Sequence, residues 1–383
     1  MDQKRFLRSL ACALVCITAQ GSRAADVSRE TYGVTAGGET VEVFTLHNDH
    51  GMRVKLLSYG GIITRIDAPD RQGVCGNVVL SFPDLTAYET RSNFSSLLGR
   101  YANRIAGGGF TLDGVRYDLK SNASGVSSHG GEHGFASRVW DAQPYRVGAT
   151  TGVVLKYRSA DGESGFPGNL SVQVRYTLDD SNVLQLEYTA TTDKPTVLNL
   201  SHHVYFNLGD GSTIYDHRAQ IFAGRYTVID NRKVATGRID AVEGTPLDLR
   251  RMTRLGDRAK SQHQQIVFGN GFDHNWVLDK PLPGALAVAA RLEGPSGRMV
   301  EVSTTEPGLQ MYTGNGFNGT MRDEKGQPLV QGAGVALETQ HFADSPNHPQ
   351  FPSTVLRPGE EFRSTTRFRF AVAGSAEPGR CSG

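Results

Sequence analysis

Five short segments of this chain concentrate side chains that move protons or hold polar ligands. They are Gly99-Arg100-Tyr101-Ala102-Asn103-Arg104-Ile105, Ser128-His129-Gly130-Gly131, Asn199-Leu200-Ser201-His202-His203-Val204-Tyr205-Phe206-Asn207-Leu208, Gly271-Phe272-Asp273-His274-Asn275 and Leu337-Glu338-Thr339-Gln340-His341. A carboxylate with an imidazole near its ordinary pKa is an acid–base pair for work near neutral pH. Motifs for other chemistry are missing: there is no P-loop, no HExxH, no GxSxG and no Cys/His spacing of a zinc site. Gly314-Asn315-Gly316-Phe317-Asn318-Gly319 is a literal GxGxxG, but a polar stretch ending in another turn follows it. A dinucleotide site needs a helix opening there, so the nucleotide reading fails.

Strand geometry sorts the adjacent histidines. Side chains alternate faces along a strand, so Leu200, His202, Val204 and Phe206 share one side, and Ser201, His203 and Tyr205 the other. The first set is mostly apolar and reads as core; the second reads as the lining of a cavity. His203 is therefore the functional candidate and His202 a packed, hydrogen-bonded histidine. The same parity places Glu338 with Gln340, opposite Leu337 and Thr339. Arg100 reads as structural.

The elements that must carry these residues are strands. Val172, Val174, Tyr176 and Leu178 alternate with polar residues, as do Leu184, Leu186 and Tyr188 after the polar turn 179–182, the pattern of a half-buried hairpin. Asp113-Gly114 and Gly294-Pro295-Ser296-Gly297 mark two more turns between strands. Helical periodicity is confined to short stretches near 84–89 and 250–257. The fold class expected is all-β, one large antiparallel β-sandwich domain over residues 25–383.

The 383 residues include 40 Lys+Arg and 39 Asp+Glu, a net charge of +1, which leaves no electrostatic case for a nucleic-acid partner. Lys4, Arg5 and Arg8 precede an apolar run and then Ser22-Arg23-Ala24, the order of a secretory signal peptide over residues 1–24. The expectation is export, most simply to a bacterial periplasm, with no membrane association once the leader is gone. Of four cysteines, Cys75 and Cys381 would remain. An oxidising compartment would permit a bridge between them, and two free thiols are an equal alternative.

With these residues in view, the chain resembles the aldose 1-epimerases, or galactose mutarotases, along nearly its whole length beyond residue 24. GRYANRI, SHGG, NLSHHVYFNL, GFDHNWVL, Gln310-Met311-Tyr312-Thr313-Gly314-Asn315 and LETQHFADSPN occur in that family's order and approximate spacing. The resemblance implies a β-sandwich with an open cleft for a small sugar, no cofactor and no metal. It implies interconversion of the α and β anomers of aldohexoses such as galactose and glucose. Carried over by position, Glu338 is the general base at the C1 hydroxyl and His203 the general acid at the ring oxygen. His129 would polarise that oxygen, and Asn103, Arg104, Tyr205, Asp273 and Gln310 would bind hydroxyls. One departure is His202, where the family usually has Asn; its parity turns it away from the cleft. A glycoside hydrolase would instead oppose two carboxylates, such as Glu338 and Asp273. A sugar-binding module would have no need of both Glu338 and His203. A sugar-phosphate epimerase lacks an extra Lys or Arg cluster beside the motifs.

Overall fold

Alternation becomes strand wherever one face is buried. Leu170–Leu178 and Val183–Thr192 bury every second residue and pair antiparallel, with Leu178 opposite Leu184 across the turn. Gly109–Leu112 and Val115–Asp118 close on Asp113 and Gly114, which both have positive φ, the geometry that suits a two-residue hairpin. The computed structural model describes residues 25–381 apart from 92, 132 and 376. The leader expected over residues 1–24 lies outside the described residues. No helix among them is long and apolar enough to cross a membrane.

The pairings between the strands are antiparallel throughout, and three sheets dominate. A nine-stranded sheet runs from Asp141–Val147 through Thr150–Ser159, Leu170–Leu178, Val183–Thr192 and Phe362–Val372 to Arg298–Thr304, Ala287–Glu293, Arg218–Ile221 and Thr253–Arg254. A five-stranded sheet, Asp26–Val34 to Cys75–Asn77, follows chain order. The six-stranded sheet matters most for function. Its order is Tyr205–Phe206, Val335–Gln340, Gly308–Tyr312, Asp273–Val277, Arg225–Ile229 and Ala235–Ala241.

One apolar cluster joins the three sheets, with Phe44 and Leu56, Val174 and Phe368, and Leu309, Met311 and Leu337 among its members. Each such side chain contributes about 1.5–3 kcal/mol when fully buried. Because Leu309, Met311 and Leu337 point into this core, their neighbours Gln310 and Glu338 point out of it. The all-β sandwich expected from the sequence is what forms.

Two details differ from the reading of the sequence. The 199–208 stretch is not one strand: Ser201–His202 pairs with Leu97–Leu98, and Tyr205–Phe206 pairs with Val335–Gln340. The chain changes sheets at His203 and Val204. Helices form at Leu85–Glu89, as expected, at Gly256–Ala259 rather than from residue 250, and at Gln264–Gly269. The last is shorter than a periodic signal needs; Asn270 in the left-handed region ends it. The GxGxxG run leads into a strand, Asn318–Arg322.

Cys75 and Cys381 are joined by a disulfide, their Cα atoms 5.2 Å apart. Nearby, the Ala25 N–H donates to Asp49 and the Cys381 N–H to the His50 carbonyl (2.9 Å).

Candidate active site

The floor of the site is the outward face of the six-stranded sheet. Register sets Asn275, Gln310 and Glu338 in one row across three strands, and Asp273, Tyr312 and Ala336 in the row beside it. Asp273, Gln310, Tyr312 and Glu338 line a cavity of about 400 Å³, joined by Asn103, Arg104, His129, His203 and Tyr205. All eight site residues expected from the sequence converge there.

The wall is built from two loops stitched together. Ser127–Ser128 pairs with Arg104–Ile105, and just beyond each strand Asn103 and His129 adopt positive φ. The two residues exchange hydrogen bonds: the His129 backbone N–H donates to Asn103 O (2.9 Å), and the Asn103 N–H donates to the imidazole Nδ1 of His129 (3.2 Å). Gly130 lets the same loop pack against Gly99, since a Cβ there would lie 1.9 Å from the Gly99 oxygen. Asn199 ties the wall to the floor, accepting from His341 N–H (2.9 Å) while its carbonyl accepts from Ala102 N–H (2.8 Å). Asp344 completes the clamp, its backbone N–H on Arg104 O (2.9 Å) and its carboxylate on Ala106 N–H (3.0 Å).

Charges are apportioned unequally. Arg104 grips Asp273 with two nitrogens, at 2.9 and 3.3 Å, and Gln310 Nε2 donates to Asp273 Oδ1 (2.7 Å). Burial acts against the Asp273 carboxylate, yet Arg104 keeps its pKa below the ordinary value. Ionised and tied to Arg104 and Gln310, Asp273 lacks the proton of a glycosidase acid and the freedom of a carboxylate facing Glu338.

Glu338 is the opposite case. It is buried without a cation of its own, so desolvation, with the Asp273 charge adding to it, pushes its pKa up to about 8. His203 Nε2 lies 3.7 Å from Glu338 Oε1, and burial lowers the imidazole to about 4. The sequence reading held the imidazole near its ordinary value; tertiary burial lowers it and raises the carboxyl above it. The two groups titrate as a unit, and between those values the pair holds one proton.

His129, His203 and Glu338 place three ligand atoms within 4.8 Å of one another, a group that could hold a metal ion. The donor set argues otherwise. His129 Nδ1 accepts the Asn103 N–H, so the neutral ring carries its proton on Nε2. That nitrogen donates a hydrogen bond and offers no lone pair to a cation.

His202 is buried behind the site, its Nε2 3.1 Å from Gly61 O, beside Tyr176, whose hydroxyl donates to the same oxygen. Arg100 is enclosed as well, donating to Ser159 Oγ and to the carbonyls of Ser159, Ala160, Pro167 and Gly168. Both match the sequence reading. That reading does not include Tyr312, although its parity with Gln310 points to the cleft. Nor does it include Phe94 and Phe317, which pack on Tyr205 with ring centroids 5.1 Å away, or Arg91 and Lys233 at the rim.

Comparison with known proteins agrees with this geometry. Residues 42–369 match the family model for aldose 1-epimerase. The mouse galactose mutarotase is 42% identical over 351 residues, 91% of this chain and 99% of the mouse protein. The Escherichia coli K12 aldose 1-epimerase is 34% identical over 346 residues, 89% of this chain and 98% of its own. The crystal structure of galactose 1-epimerase from Lactobacillus acidophilus superposes with a TM-score of 0.80 at 29% identity, covering 91% of this chain and all of that one. The chain belongs to the aldose 1-epimerase family. It is an isomerase that interconverts the anomers of aldoses.

Proposed function

We propose that Glu338 and His203 perform this reaction on aldohexoses such as galactose and glucose. The observation that carries the assignment is the 3.7 Å approach of His203 Nε2 to Glu338 Oε1 on the cavity floor. Glu338 takes the proton of the C1 hydroxyl. The C1–O5 bond breaks with its electron pair going to O5, which receives a proton from His203, and C1 becomes an aldehyde. Rotation about C1–C2 presents the other face, and the two transfers run backwards. The pair starts with its one proton on His203 and holds it on Glu338 in the ring-opened stage. Burial favours that second distribution in the empty cleft, so the closed sugar reacts with the other of the pair's two one-proton arrangements.

His129 Nε2–H is suited to donate to the ring oxygen. Arg104, Asp273 and Gln310 form a pre-bonded row suited to paired hydroxyls, with Asn103 and Tyr205 on the wall. The test is polarimetry on freshly dissolved α-D-galactose and α-D-glucose with wild type and Glu338→Gln. Acceleration by wild type and its loss in the variant support the assignment; equal rates overturn it.

The leader-like segment and the Cys75–Cys381 bridge support export, since disulfides persist in oxidising compartments. N-terminal sequencing of the protein from a periplasmic fraction tests this, with Ala25 expected first.

A further inference from the structure

Two cations at the rim of the cleft have no direct ion-pair partner among the described residues, although the Lys233 charge helps to keep the Asp273 carboxylate ionised. Arg91 and Lys233 line the cavity, and neither side chain makes an ion pair or hydrogen bond among the described residues. The acids nearby are spent: Asp273 is held by Arg104 and Gln310, and the Glu338–His203 pair has no net charge while it holds one proton. An aldose made only of hydroxyls brings neither cation an ion-pair partner.

Lys233 is the better placed of the two. It sits in the tight turn between Arg225–Ile229 and Ala235–Ala241, in the left-handed region (φ 64°) that only a few per cent of non-glycine residues adopt. Its N–H donates to Asp230 O (2.9 Å), and its own carbonyl accepts from Arg104 (3.2 Å). The lysine backbone is thus anchored to the cleft wall. In the sheet order Lys233 lies beyond the strand three places from that of Glu338. At about 4.8 Å per strand this is ~14 Å of backbone separation, part of which the side chain spans as it reaches back to the cavity. A hexose with C1 at Glu338 and its ring laid across the strands would bring its far end toward this turn.

Resting on the mutarotase reading, we propose that this cleft takes aldoses with an anionic group at the end remote from C1, Lys233 being the counter-ion. A C6 carboxylate, as in a uronic acid, and a C6 phosphate ester share this chemistry. Arg91, exposed at the rim, adds long-range attraction.

The experiment compares α-D-galacturonate, α-D-galactose 6-phosphate and α-D-galactose, with anomer exchange followed by NMR against buffer blanks. Wild type and Lys233→Met are each measured in low salt and in 0.5 M NaCl, about where screening shortens electrostatic reach to a few ångströms. In wild type, kcat/KM for at least one anionic sugar should equal or exceed that for galactose. Its ratio to the galactose value should fall about tenfold in Lys233→Met and fall also in high salt. The anionic sugar that shows this identifies the group. Turnover of galactose with both anionic sugars more than tenfold poorer overturns the proposal, as does a ratio that Lys233→Met leaves unchanged. Turnover of none of the three overturns the mutarotase reading along with it.

Discussion

His203 Nε2 and Glu338 Oε1 stand 3.7 Å apart in a buried site, and burial drives their affinities for protons in opposite directions. The imidazole is neutral and the carboxyl protonated near pH 7 in the empty cleft. Ring opening moves two protons, one from the C1 hydroxyl to Glu338 and one from His203 to the ring oxygen, and the pair's own count stays at one.

The pH dependence of kcat/KM follows. Below about pH 4 both groups are protonated and no base remains; above about pH 8 both are deprotonated and no acid remains. A bell with a broad plateau between these limits is expected, and each limb belongs to the pair rather than to one residue. A pH-rate series by polarimetry checks it. A flat profile from pH 3 to 10 excludes the pair, and Glu338→Gln should lose about a hundredfold or more at the plateau.

Stability should carry the opposite mark of the same carboxyl. Its pKa is raised from 4.5 to about 8 in the folded chain. Between those values the folded state keeps a proton that the unfolded state has released, so this group makes stability fall as pH rises through the window. The neutral amide of the Glu338→Gln variant has no such loss. The two proteins should melt alike near pH 4, and the variant should be more stable by ~1–3 kcal/mol above pH 8, within the range of buried-group effects. Thermal melts at several pH values decide it, and a variant less stable at high pH contradicts the burial argument.

His202 offers a test of face assignment. Its Nε2 bonds to Gly61 O, and its ring abuts Tyr176 in the core. His202→Asn should leave turnover within a few-fold while lowering stability by about 1 kcal/mol, the typical worth of a hydrogen bond. Loss of catalysis without loss of stability would put His202 in the reaction.

The disulfide should matter to stability and not to chemistry. Cys75 and Cys381 are 306 residues apart, so the bridge closes a very long loop of the unfolded chain. Cys75→Ser should lower the unfolding free energy by ~2–4 kcal/mol, and mutarotation of galactose at 25 °C should persist. Denaturant curves beside polarimetry check both halves.

What the sequence makes legible here is local. His203 is separable from His202 because parity survives even where the strand breaks between them. Gln310 and Glu338 are recognisable because Leu309, Met311 and Leu337 turn the other way into the core. Arg91 and Lys233 leave no such trace. They lie in loops without periodicity, outside the six motifs, and only sheet order brings Lys233 to the cleft. The reversed proton affinities of Glu338 and His203 are equally invisible, because desolvation is set by everything packed around them. Asp344 is noticeable in its motif, but its hold on the Arg104 loop is tertiary.

The turn at Asp49 and His50 receives hydrogen bonds from both Ala25 and Cys381, so the described chain begins and ends at one place. It is topologically close to a ring. A short linker from residue 381 to residue 25, with new ends opened in an exposed loop such as 281–286, would therefore give a circular permutant that keeps every strand neighbour of the cleft.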